Sequence, residues 1–139
     1  MIKTVPIKHD IVSLIPNAKE YLRSNKDVLF AYLFGSFAKN CPKPLSDIDI
    51  AVYLDCNDHA QARFNIIGEL ISIFKTDEID LVVLNSAPLG LKMRILKPRY
   101  ILADNAPFNR HIYESITMRS YFDFVEIETG ILEKRFFNG

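Results

Sequence analysis

"GSFAKNCPKPLSDIDIAVYL", Gly35 to Leu54, sets an apolar strand against two acids at its entrance. The run Ile48 to Leu54 reads as the centre of a sheet, yet Asp47 and Asp49 stand two positions apart at its start. Side chains alternate faces along a strand, so both carboxylates point the same way, roughly 7 Å apart along the backbone. Ionised groups are costly to desolvate and are normally paired or bound to a cation in such a setting. Two carboxylates on one face repel each other unless a cation lies between them. Hard oxygen donors in this arrangement suit Mg²⁺, which takes one or two protein carboxylates together with substrate phosphate oxygens.

The chain on either side supplies matching parts. "EIDLVVLN" (78–85) is a further apolar strand broken by a single acid, Asp80. If the strands at 47–55 and 78–85 are neighbours, Asp47, Asp49 and Asp80 meet on one buried-looking patch. Upstream, "DVLFAYLF" (27–34) is a short buried strand that ends at Gly35-Ser36. A strand running through glycine into a helix start exposes backbone N–H groups to an anion, favoured by the helix dipole. Glycine lets a phosphate come close, and the Ser36 hydroxyl can donate as well. A polyphosphate held at Gly35 and Ser36 would extend toward cations at Asp47 and Asp49, the layout of metal-assisted phosphoryl or nucleotidyl transfer. Neither G-x-x-x-x-G-K-[ST] nor G-x-G-x-x-G occurs.

These motifs sit in a chain of ordinary globular make-up: 139 residues, 49% hydrophobic and 24% charged. That length is one domain with a real core. Lys plus Arg and Asp plus Glu both number 17, so the balance gives no bulk electrostatic case for nucleic acid or an anionic membrane. No apolar run is long enough to span a bilayer, and "MIKTVPIKHD" lacks the apolar segment of a secretion signal. Cys41 and Cys56 fit no zinc, redox or disulfide pattern. The expected setting is the cytoplasm.

Helices are predicted between the strands. "HDIVSLIPNAKEYLRSN" has helical spacing at Ile11, Leu14, Ile15, Ala18 and Leu22, with a break or a fresh first turn near Pro16. "SFAKN" is expected to form a short helix before "CPKP" forces a loop. "DHAQARFNIIGELISIFK" (58–75) has Asp58 as N-cap and a stripe of Ala62, Ile66, Ile67, Leu70, Ile73 and Phe74. "APLGLKMRILKPR" is helical up to Pro98, "YILAD" (100–104) is an edge strand, and a long helix runs from Pro107, interrupted at Gly130. Alternating strands and helices give an α/β or α+β architecture.

Gly35-Ser36, ten intervening residues and Asp47-Ile48-Asp49 together resemble the signature of the DNA polymerase β-type nucleotidyltransferases. More narrowly, "LFGSFAKN…SDIDIAVYL" followed by "DEIDLVVLN" resembles the minimal nucleotidyltransferases, and the late "RSYFDF" (119–124) resembles the MntA antitoxin branch, partner of HEPN-domain ribonuclease toxins. Lys39 and Cys41-Pro42-Lys43-Pro44 depart from the arginine and the glycine-containing loop common in relatives. The resemblance implies a polymerase β-like fold, a small mixed sheet flanked by helices, as a single domain over 1–139 with a catalytic core over 26–104 and a C-terminal helix over 107–137. It implies that Asp47, Asp49 and Asp80 ligate Mg²⁺, as two ions, that Asp80 lies near the attacking hydroxyl, and that Gly35 and Ser36 hold the phosphates of ATP. The implied reaction transfers AMP from ATP to a tyrosine of a HEPN toxin with release of pyrophosphate, in a heteromeric complex. Alternatives are transfer to a small hydroxylated molecule, or an antitoxin that inhibits by steric binding alone.

Blander readings stand beside these. A lone D-x-D usually marks a solvated turn or helix cap, and Asp80 could be an edge-strand acid facing water. Lys39 could touch a phosphate or simply be solvated. The cluster Lys92, Arg94, Lys97 and Arg99 reads as the wet face of a helix. His9, His59 and His111 share no metal spacing. Phe and Tyr gather in the last forty residues; core packing of a terminal helix explains much of that, and an exposed aromatic patch there would mark a partner surface.

Overall fold

The strand Val28–Phe34 (β1) lies at the middle of the molecule because every residue of it except Leu29 is buried. The computed structural model describes residues 8–35 and 47–137, and the side chains of 11–35 and 47–130. In chain order, α1 (Lys8–Ser24) leads into β1, followed by β2 (Ile48–Leu54), α2 (His59–Phe74) and β3 (Ile79–Val83). A 3₁₀ turn (Leu84–Ser86), α3 (Leu89–Leu96), β4 (Tyr100–Asp104) and α4 (Pro107–Phe137) complete the chain. The sheet order is β3-β2-β1-β4, antiparallel at β2/β1 and β1/β4 and parallel at β2/β3. This is the mixed α/β sheet that the sequence predicts. No helix among the described residues is long and apolar enough to cross a membrane.

Strand alternation divides the core into two layers. Ile48, Ile50, Val52 and Leu54 of β2 pack under α1 and α2 with Ala18, Leu22, Ile66, Leu70 and Phe74. On the opposite face Phe30, Tyr32, Phe34 and Ala51 pack with Leu84, Ile95 and Leu96, backed by Tyr53 and Tyr113. Asp47, Asp49 and Asp80 have the parity of Ala51 and Val82, so they belong to this second face.

Helix α2 forms as its pattern dictates. Asp58 Oδ1 accepts the Gln61 amide (3.0 Å), Ala62, Ile66, Leu70 and Phe74 are buried, and Lys75 closes the helix in the left-handed region. Helix α1 instead runs without interruption through Pro16. The hydrogen bond that proline removes would have gone to Val12, four residues back, and both residues are exposed, so water can take its place. Helix α4 likewise continues through Gly130, whose low helix propensity is outweighed by thirty other positions in the same 31-residue helix. The third strand is shorter than its apolar run. It ends at Val83, and Asn85 turns back to bracket Leu54, accepting its N–H and donating to its carbonyl, both at 2.9 Å. On the outer edge of β3, Arg63 Nε–H donates to the Leu81 carbonyl (3.0 Å), which blunts a strand edge open to aggregation. As predicted, β4 is an edge strand.

A buried polar network fastens α4 to the sheet. Tyr32 donates to Glu114 Oε2 (2.6 Å), Arg110 pairs with both Glu114 (3.2 Å) and Asp104 (2.9 Å), and Arg99 reaches Glu114 from outside (3.3 Å). Burial and the Glu114 carboxylate push the Tyr32 hydroxyl well above its ordinary pKa. Removing one member of such a network leaves buried charge uncompensated. Glu114→Ala is therefore expected to destabilise the fold by about 3 kcal/mol, read as an earlier urea midpoint with an unchanged m-value.

Candidate active site

Parallel pairing of β2 with β3 sets Asp49 directly opposite Asp80, and antiparallel pairing sets Asp49 opposite Phe34, the last residue of β1. Neighbouring strands lie about 4.8 Å apart, so the entrances of β2 and β3 and the exit of β1 meet at one end of the sheet. Asp47, one residue before β2, shares the face of Asp49. The register thus sets Asp49 and Asp80 side by side, with Asp47 at the same end of the sheet. They differ in exposure: Asp49 is half-buried, while Asp47 and Asp80 are exposed. Asp80 stands on an edge strand and faces water at the rim of the group, because β3 has no strand on its outer side.

Gly35 is essential to this geometry for a reason its sequence context does not reveal. Its φ of +72° belongs to the left-handed region, and a Cβ there would come within 3.0 Å of Asp49 Cγ and inside contact distance of Oδ2. Only glycine lets the Asp49 carboxylate lie against the backbone where β1 ends. Ser36, Lys39 and the Cys41–Pro44 loop lie outside the described residues, as does the short helix predicted over "SFAKN".

Electrostatics tie the acids together. Burial, then the charges of Asp80 and Asp47, push the Asp49 carboxyl up to about 6, with Arg94 pulling the other way. Arg94 belongs to α3, which packs on the same sheet face through Ile95 and Leu96. It is one positive charge of the cluster read from sequence as a wet helix face, and the one that acts on Asp49. Of the others, Lys92 lies over the Tyr113 ring at 5.6 Å, Arg99 pairs with Glu114, and Lys97 is exposed.

The donor set fits Mg²⁺. The acids offer carboxylate oxygens alone, the hard donors that Mg²⁺ takes. Among the described residues no three His, Cys, Asp or Glu side chains close into a ready metal cage. His111 is exposed and His59 half-buried, as separate residues; Cys56 is a free thiol.

A pH dependence follows. Folding raises the Asp49 pKa from 3.8 to about 6, so the folded state holds the proton more tightly than the unfolded chain. The stability from this group is complete below its ordinary value and is lost as pH rises through about 6. In Mg²⁺-free buffer, Asp49→Asn should raise the melting temperature by a few degrees above about pH 7 and change it little near pH 4. Equal shifts at both pH values would contradict the assignment.

Residues 17–107 match the family described as polymerase beta, nucleotidyltransferase, and the chain belongs to that family. No curated protein gives a significant match. Solved structures with the same fold include a chain of a toxin–antitoxin pair with AMP-PNP, 23% identical with a TM-score of 0.64, covering 92% of this chain and 97% of that one. The MntA–HepT toxin–antitoxin is similar at 22% identity and a TM-score of 0.58, covering 94% and 97%. So is a tri-AMPylated Shewanella oneidensis HEPN toxin in complex with its MNT antitoxin, at 21% identity, a TM-score of 0.58 and 97% and 99% coverage. At such identities the likeness establishes the fold.

Proposed function

We propose that this chain is a Mg²⁺-dependent antitoxin that transfers AMP from ATP to a tyrosine of a HEPN-domain toxin. The observation that carries the reading is the register placing Asp49 opposite Asp80, with Asp47 on the same face and Gly35 against the Asp49 carboxylate. Family membership supports nucleotidyl transfer, and the solved relatives with AMP-PNP or an AMPylated toxin support ATP as donor and a toxin as acceptor.

In this reading Asp47 and Asp49, joined by Asp80, hold the cations, and Gly35 and Ser36 seat the triphosphate. Bound Mg²⁺ would supply neutralisation of phosphate charge and alignment of the attacking and leaving oxygens. Asp80, the exposed acid at the rim, accepts the proton of the incoming tyrosine hydroxyl. That oxygen bonds to the α-phosphorus, the bond from the α-phosphorus to the bridging oxygen breaks, and pyrophosphate leaves with the electron pair. The sheet end and α3 hold these groups in place, so the chain contributes mainly position and charge.

Intact mass spectrometry of the toxin, expressed with and without this chain, tests the proposal. The expected result is a gain of one AMP unit or a multiple of it. A toxin of unchanged mass that is nonetheless silenced would favour inhibition by binding alone.

A further inference from the structure

We propose that the distal half of α4 is the docking element that holds the protein substrate in front of the acids, the partner being a protein that grips this helix from two sides. The proposal rests on the transferase reading above, and its experiment separates the two.

Helix α4 has two parts with different surroundings. In its first turns Arg110, Glu114 and Thr117 are buried and Tyr113 half-buried against the sheet, while Phe108 and Ile116 face outward, 75% and 58% exposed. From residue 118 to 130 no side chain is buried. Within that stretch Phe122 (65%), Phe124 (50%), Val125 and Ile127 (63%) are exposed. At about 100° per residue, positions 122, 124, 125 and 127 point to widely separated sides of the helix. Arg119, Asp123, Glu126 and Glu128 are interspersed among them, so the apolar side chains form no single stripe and covering them takes contacts on more than one side. Side-by-side pairing with a second copy of α4 would cover only one of those sides. Over the described residues of the helix the exposed apolar side chains amount to on the order of 800 Å², about one partner's share of a standard interface, with roughly half of it from residue 118 onward.

The direction of the helix links this surface to the site. Ala106 N–H donates to the Leu29 carbonyl at one end of β1, Arg110 pairs with Asp104, and Glu114 accepts from Tyr32. Asp104 is opposite Phe30, Tyr100 is opposite Leu33, and Phe34 is opposite Asp49. The helix therefore advances along β1 toward the end where Asp49 and Asp80 sit, and residues 118–130 continue past that end. A protein held there is held beside the acids. Docking of this kind raises the local concentration of the acceptor hydroxyl.

The test uses the full chain, the HEPN toxin, and the variants Phe122→Glu and Ile127→Lys, singly and together. Both positions are exposed, so melting temperature and far-ultraviolet circular dichroism should match the wild type. Light scattering should show a wild-type complex with the toxin, and the double variant should bind on the order of 100-fold more weakly. Its labelling should fail at low toxin and recover as toxin is raised, a change in KM with kcat kept. Unchanged binding by the double variant would overturn the docking assignment and leave the reaction untouched. So would a self-associated wild type that the variants turn into monomers still able to bind toxin. A helix-dependent complex with no AMP added would uphold the docking and sink the reaction.

Discussion

Asp47→Asn together with Asp49→Asn is expected to lower AMP transfer by at least ~1000-fold, the scale on which phosphoryl-transfer enzymes depend on charge neutralisation. The substitutions keep side-chain size but remove both negative charges at the start of β2. Asp80 would then face the substrate alone on its exposed edge strand. The double variant should still fold, because Ile48, Ile50 and Val52 behind these acids are fully buried and unchanged. It should also lose any rise in melting temperature that Mg²⁺ gives the wild type. Labelling in an assay with radioactive ATP separates the outcomes: transfer at near wild-type rate in the double variant would contradict the site.

Gly35→Ala should also be strongly damaging, although it alters no charge. A left-handed φ costs a residue with a Cβ about 1–2 kcal/mol. The larger effect is displacement, since the new methyl would occupy the place of Asp49 Oδ2. Moving a reacting group by about 1 Å can reduce a rate on the order of 100-fold. The expected signature is a fall in kcat of that size with a stability loss of only about 1–2 kcal/mol. Wild-type kcat with reduced stability alone would show that Asp49 does not need the backbone gap at Gly35.

Much of this site is legible in the sequence, and the reasons are local. Two acids in an apolar strand declare a shared face because strand periodicity is fixed, and Asp80 declares the same anomaly in its own strand. Their meeting depends on pairing between β2 and β3, a long-range fact that only the register supplies. Gly35 is visible as a glycine at a strand end, but its contact with Asp49 joins segments fourteen residues apart. The Tyr32, Arg110 and Glu114 network is invisible for the same reason, its members lying about eighty positions apart in the chain. Local signals also mislead where tertiary context wins. Pro16 reads as a helix break, yet its lost hydrogen bond falls on the solvent face and α1 continues. Asn85 reads as the end of a strand, yet its side chain leaves the ladder to clamp Leu54. Arg94 carries no motif at all, and its relation to the acids appears only once α3 is packed on their face.

The most direct measurement supplies the toxin with ATP radiolabelled at the α-phosphate in one reaction and at the γ-phosphate in another, with Mg²⁺ and this chain in both. If the acids at the end of β2 and β3 perform nucleotidyl transfer, label from the α-position appears on a toxin tyrosine and the γ-label leaves as pyrophosphate. Label arriving from the γ-position, or from neither, would contradict it.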